Sequence, residues 1–305
     1  MPRRARLALI GAVAGVALLA LTWYLAHYVG LLKRADVNIL KGFAQLDRPG
    51  LDGVTNLIAG LCDPQHYVFL AVIPVAMALI RRRPRVAMMV LGILLAANET
   101  TQLLKPLLAA PRDYVYWDPI GTASWPSGHA TAAMSLALCT VIAAPARRRP
   151  AVAAAMTAFA IAVCYSFLEL GWHYPSDVFG GFLVAATWTL LGVAGLTLYE
   201  ARHPSPTGPD PLRPRHAAVT VSEALMPAVT ILVAAAVLVV LIVLAHPHQV
   251  IDYARAHETF VIGAGLIGVM GLLLSSGLTL MLRAAPASGS GPAPTTARRR
   301  RWLRG

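Results

Sequence analysis

Eight stretches of this chain are apolar over lengths that suit a hydrocarbon layer of about 30 Å. They run Leu7–Val29, His66–Ile80, Val86–Leu104, His129–Ala144, Ala151–Leu170, Val178–Tyr199, Ala224–Ala245 and Phe260–Leu282. Only 13% of the 305 residues are charged, against about a quarter in an average soluble domain, and the mean hydropathy is +0.62. The expected fold class is therefore all-α, a polytopic transmembrane bundle of about eight spans. The second and fourth stretches are short, so their helices should extend beyond these limits or tilt little. Small residues recur in most of them, which suits close helix packing.

The basic residues set an orientation. Arg3, Arg4 and Arg6, the run Arg81–Arg83 with Arg85, Arg147–Arg149, then Arg202, Arg213 and Arg215, and finally Arg283, Arg298–Arg301 and Arg304 fall on one side. That side holds 19 of the 26 Lys and Arg; the other carries Lys33, Arg34, Lys41, Arg48, Lys105, Arg112 and Arg255. This bias places both termini in the cytoplasm. The formal charge of +12 is thus topological, with anionic headgroups a secondary partner and nucleic acid not expected. The first apolar run is long and lacks a small-x-small cleavage site, so it reads as a retained span and not a signal peptide.

Between the spans, residues 36–64 should form short helices on the outer surface, because Val37, Leu40, Phe43 and Leu46 recur at helical spacing. Residues 1–200 would form the core, 201–223 a Pro-rich cytoplasmic linker, 224–283 two further spans, and 284–305 a disordered basic tail. Cys62, Cys139 and Cys164 follow no metal-ligand spacing and suggest neither a disulfide framework nor zinc. His246, His248 and His257 are irregularly spaced and read as surface histidines. No cofactor or metal is expected.

Several chemistry-bearing residues share the outer face. Lys105 and Arg112 follow the third span, Ser127, Gly128 and His129 open the fourth, and His173 and Asp177 lie between the fifth and sixth. A neutral imidazole nitrogen of His173 can attack phosphorus if its other nitrogen is held as the donor. Asp177, four residues on, can hold it across one helical turn. His129 can protonate the departing oxygen and then activate water. Lys105 and Arg112 would balance negative charge in the transition state, Arg112 bidentately. Backbone N–H groups near Ser127 and Gly128, at a helix mouth, would add donors to phosphate oxygens, with the Ser127 hydroxyl.

Each residue alone has a plainer role. A histidine at an interface is often structural, Lys105 could snorkel, Pro126 and Gly128 could mark a helix start, and Asp177 could be an N-cap. Their gathering on one face favours a site. Glu99 and Glu169 are either packing devices or part of the pocket floor. Asp113, Trp117 and Asp118 read as structural residues near it.

These residues resemble the type 2 phosphatidic acid phosphatase superfamily, which also includes bacterial lipid pyrophosphatases and vanadium haloperoxidases. Its first motif, Lys, six residues, Arg-Pro, is matched by Lys105 and Arg112, with Asp113 in place of proline. Its second, Pro-Ser-Gly-His, stands at Pro126–His129. Its third, Ser-Arg, five residues, His, three residues, Asp, is matched by Ser166, His173 and Asp177, with Phe167 in place of arginine. The resemblance spans about residues 60–200 and implies the family's six-helix core, with His173 as nucleophile and His129 as general acid. For a membrane member it implies metal-independent dephosphorylation of a lipid phosphate or isoprenoid diphosphate at the outer leaflet. Haloperoxidase activity does not suit a chain embedded in lipid, because it needs a cationic vanadate cage.

Phe167 cannot bind phosphate. Another cation such as Arg48 fills its place, or the substrate is unusual, or turnover is weak or lost. The expected function is hydrolysis of a membrane lipid phosphate, phosphatidate or a polyprenyl (di)phosphate, through a phosphohistidine. The alternatives are transfer to a lipid or sugar acceptor, and a non-catalytic lipid-binding, transport or assembly subunit.

Overall fold

The computed structural model describes residues 1–46, 52–112, 120–203 and 220–282. Arg48, Asp113, Trp117, Asp118, most of the expected linker and the expected tail lie outside these residues. Among them every regular element is a helix. α1 spans Arg3–Tyr28, α2 Gly30–Ala44, α3 Asp52–Gly60, α4 Pro64–Ile80, α5 Pro84–Leu107 and α6 Gly128–Ala143. α7 spans Arg149–Glu169, α8 Pro175–Arg202, α9 Val221–Ala245, α10 Pro247–Ala256 and α11 Glu258–Met281.

Among the described residues, six helices are long and apolar enough to cross a membrane: α1, α5, α7, α8, α11 and the Ala228–Ala245 stretch of α9. α3 and α4 together make a seventh if their 57° bend is one broken span. The sequence suggested that 36–64 lies on the surface. Two short helices do cover most of it, although α2 starts earlier, at Gly30, and α3 also forms the first limb of the bent pair. Pro64, which has no N–H to give to α3, opens the second limb at N1.

α6 does not extend to the length expected of a free-standing span. Ser127 caps its start, its Oγ accepting from Ala130 N at 3.3 Å, and the helix stops before Pro145. It has no need of length, because every residue from Ala130 to Ala143 is buried among α4, α5, α7, α8 and α11. Its helical run of Ala, Leu, Cys and Met side chains forms the centre of the core. α1 lies along α8, where Gly15 meets Thr187: a Cβ at Gly15 would stand 2.4 Å from the Thr187 hydroxyl. α9 is the opposite case. No described side chain of its apolar stretch is buried, and Val233, Val237 and Leu241 all face outward. Such a surface is untenable in water and natural against acyl chains.

The two ends of the bundle differ in charge. At one, Arg149 is buried and donates to the carbonyls of Leu282 and Ile142 at 3.3 and 3.5 Å, and Arg85 lies over the Tyr199 ring. At the other end converge the last turns of α1, α5 and α7 and the first turns of α2, α4, α6 and α8. His27, Lys105, His129, His173 and Asp177 all belong to that second end. Near it α10 docks on α2, the Tyr253 hydroxyl donating to the Gly42 carbonyl.

Candidate active site

Two glycines allow the site to form. A Cβ at Gly181 would fall 2.7 Å from the Ser127 carbonyl and 2.8 Å from Thr131 N, and one at Gly180 would fall 2.8 Å from the Trp125 ring. Without side chains there, the first turn of α8 rests directly on the first turn of α6. Ser127 N also donates to the Asp177 carbonyl at 3.0 Å. The two histidine-bearing motifs are thereby joined, and the rings of His129 and His173 stand 6.3 Å apart, centre to centre.

Asp177 is the third residue of α8, and its carboxylate closes a capping box with Tyr174. Oδ2 accepts from Tyr174 N and from His173 Nδ1, each at 3.1 Å. Oδ1 pairs with Arg112 Nη2 at 2.9 Å. Asp177 has no exposed surface, so its charge is held by these partners alone. The bond to Nδ1 leaves Nε2 of His173 as the nitrogen free to react.

Arg112 is deeply engaged. Besides Asp177 it pairs with Asp36 at 3.3 Å, donates to Ser176 Oγ at 3.0 Å, and donates through Nε to His27 Nε2 at 3.0 Å. His27 Nδ1 is satisfied by the Trp23 carbonyl at 2.8 Å, which fixes the acceptor role of Nε2. Asp36 also accepts from Ser176 N and Ser176 Oγ. One guanidinium thus ties α1, α2 and α8 together, and its side chain is only 6% exposed. Burial pushes the Asp36 carboxyl up to about 6, with Arg112 and Ser176 holding it from going further.

Lys105 lies where α5 ends beside the mouth of α6, its Nζ 3.9 Å from where a Cβ on Gly128 would be. Among the described residues it makes no ion pair. The N–H groups of the first turn of α6 point the same way, so Lys105 and the helix start together form an anion-favouring corner. Phe167 is fully buried and packs 5.4 Å from the His173 ring and 5.9 Å from the His129 ring. It is an apolar wall under both imidazoles.

Asp63 is a member of the site that sequence reasoning passed over. Its Oδ1 stands 2.9 Å from His129 Nε2. An Asp-Pro pair before an apolar run reads first as an ordinary helix start. Asp36, His27 and Ser176 were missed because nothing in their spacing links them to Arg112. Glu99 is exposed on α5, neither packed nor in the pocket, and Glu169 accepts from Thr55 at 3.4 Å.

Residues 81–198, from just before α5 to near the end of α8, match the model of the PAP2 superfamily. No curated protein matches the chain. The fold is similar to the crystal structure described as the first transmembrane PAP2 type phosphatidylglycerolphosphate phosphatase from Bacillus subtilis. The TM-score is 0.53 at 20% identity, over 65% of this chain and 98% of that one. Residues 81–198 are thus similar to the PAP2 superfamily, within a multi-pass helical membrane protein.

Proposed function

We propose that this protein hydrolyses a membrane lipid phosphate, phosphatidate or a polyprenyl (di)phosphate, through a phosphohistidine on His173. The observation that carries this is the His173–Asp177 pair facing His129 beside Lys105, in the segment that matches the superfamily's model. His173 Nε2 attacks phosphorus while Asp177 steadies the charge gained by the ring. The P–O bond to the lipid breaks, and the leaving oxygen takes a proton from His129. Neutral His129 then takes a proton from water. The resulting hydroxide attacks phosphorus, the P–N bond breaks, and its electrons return to Nε2. Ester and water become alcohol and inorganic phosphate, and the protein is restored.

Lys105 and the N–H groups opening α6, Gly128 among them, would hold the non-bridging oxygens. Ser127, expected to bind phosphate directly, is fully buried and instead caps the helix that presents them. Arg112 acts at one remove, since it grips the carboxylate that orients His173. The positive-inside bias supports a site at the outer leaflet with both termini in the cytoplasm. Residues 1–200 would be the catalytic core, α9 and α11 two added spans, and residues 284–305 a basic cytoplasmic tail.

Phe167 favours a second reading, a lipid-binding subunit without turnover, because an apolar wall replaces a phosphate-binding cation. Phosphate release from a panel of phosphatidate, phosphatidylglycerol phosphate and polyprenyl mono- and diphosphates separates the two. A hydrolase releases phosphate, and His173→Ala does not. Silence across the panel by folded protein favours the binding subunit.

A further inference from the structure

Asp63 has the backbone of an N-cap, φ −60° and ψ 144°, at the start of α4, yet its side chain caps nothing there. Aspartate at this position ordinarily accepts from the first-turn N–H groups. Here the carboxylate turns away to His129 Nε2 at 2.9 Å. The 57° break between α3 and α4 sets the start of α4 against the start of α6, and Asp63 lies in that break.

The site thus holds two carboxylate–imidazole pairs, bonded through opposite ring nitrogens. Asp177 takes Nδ1 of His173 and leaves Nε2; Asp63 takes Nε2 of His129 and leaves Nδ1. Their exposures differ as their tasks would require. The Asp177 side chain is 0% exposed, whereas Asp63 is 36% and His129 20% exposed. A nucleophile must keep one tautomer through the cycle, so a sealed carboxylate suits His173. A general acid must give up and regain a proton in each turnover, so a pair open to water suits His129.

From this geometry, and resting on the phosphatase reading above, we infer that Asp63 is a positioning residue for the leaving-group step. It holds His129 by Nε2 so that Nδ1 carries the proton that passes to the departing oxygen and later returns from water. The charged groups around His129 sharpen the need. Lys105 from α5 and His173 from the turn before α8 oppose an imidazolium there, Phe167 and Trp172 are apolar, and Asp63 is the carboxylate among the described residues that favours it.

The test compares wild type with Asp63→Asn on two monoesters, an alkyl lipid phosphate and p-nitrophenyl phosphate. An alkoxide must be protonated as it leaves, whereas p-nitrophenolate departs without help. The expected loss in kcat is about 100-fold on the alkyl ester, within the range of general-acid contributions, and at least tenfold smaller on the aryl ester. The alkaline limb of the pH–rate profile on the alkyl ester should also move to lower pH. Equal losses on both esters, or none on either, in a wild type that is active would overturn this inference alone. A folded wild type inert on both overturns the phosphatase reading and this inference with it.

Discussion

Arg112 faces Asp177 and not open space: its Nη2 stands 2.9 Å from Asp177 Oδ1, the oxygen opposite the one bonded to His173. An arginine expected to clamp phosphate is placed to fix the carboxylate that orients the nucleophile. Removing it would leave the buried Asp177 and Asp36 without their shared cation.

Arg112→Gln should therefore cost about 3–5 kcal/mol of stability, the range for breaking a buried pair from one side. In the protein that remains folded, kcat should fall with KM little changed, because the lost interaction is with Asp177. Detergent-phase unfolding and steady-state kinetics read the two effects. A rise in KM alone would return Arg112 to direct phosphate binding.

Gly181→Ala should abolish activity while helical content survives. Its new Cβ meets the Ser127 carbonyl and Thr131 N, backbone atoms that cannot rotate aside, so α8 must lift from α6 and part the two histidines. Circular dichroism alongside the phosphate-release assay checks this.

Phe167→Ala should destabilise by about 3–5 kcal/mol, as for other large buried aromatics, and lower kcat by loosening both imidazoles. Phe167→Leu should retain most of the stability. Thermal midpoints of the three proteins give the comparison.

Asp36 gives a pH signature. Its carboxyl titrates at about 6 when folded against an ordinary 3.8, so the folded state prefers the protonated form. That preference stabilises fully below about pH 4 and is lost as pH rises through about 6, a swing on the order of 3 kcal/mol. Asp36→Asn does not titrate. Wild type should lose ground to it between those pH values, as read from paired thermal midpoints.

The membrane bundle, the shared end of the site residues and the His173–Asp177 bond were all legible in the sequence, because hydropathy and one-turn spacing are local signals. α6 was drawn within a residue of its bounds for the same reason. What stayed hidden is long-range. Asp36 and Arg112 are 76 residues apart and Asp63 and His129 are 66 apart, and their pairing depends on where helix ends meet. Residues 52–60 read as a short helix, and nothing local in such a segment signals that it pairs with α4 across a 57° bend.

The most direct test of the central claim is rapid-quench trapping of labelled phosphate on the protein during turnover of a radiolabelled lipid phosphate. The account predicts an acid-labile, alkali-stable label that maps to His173, forms at least as fast as product, and is absent from His173→Ala. Full turnover with no protein-bound label, or phosphate release undiminished in His173→Ala, would contradict it.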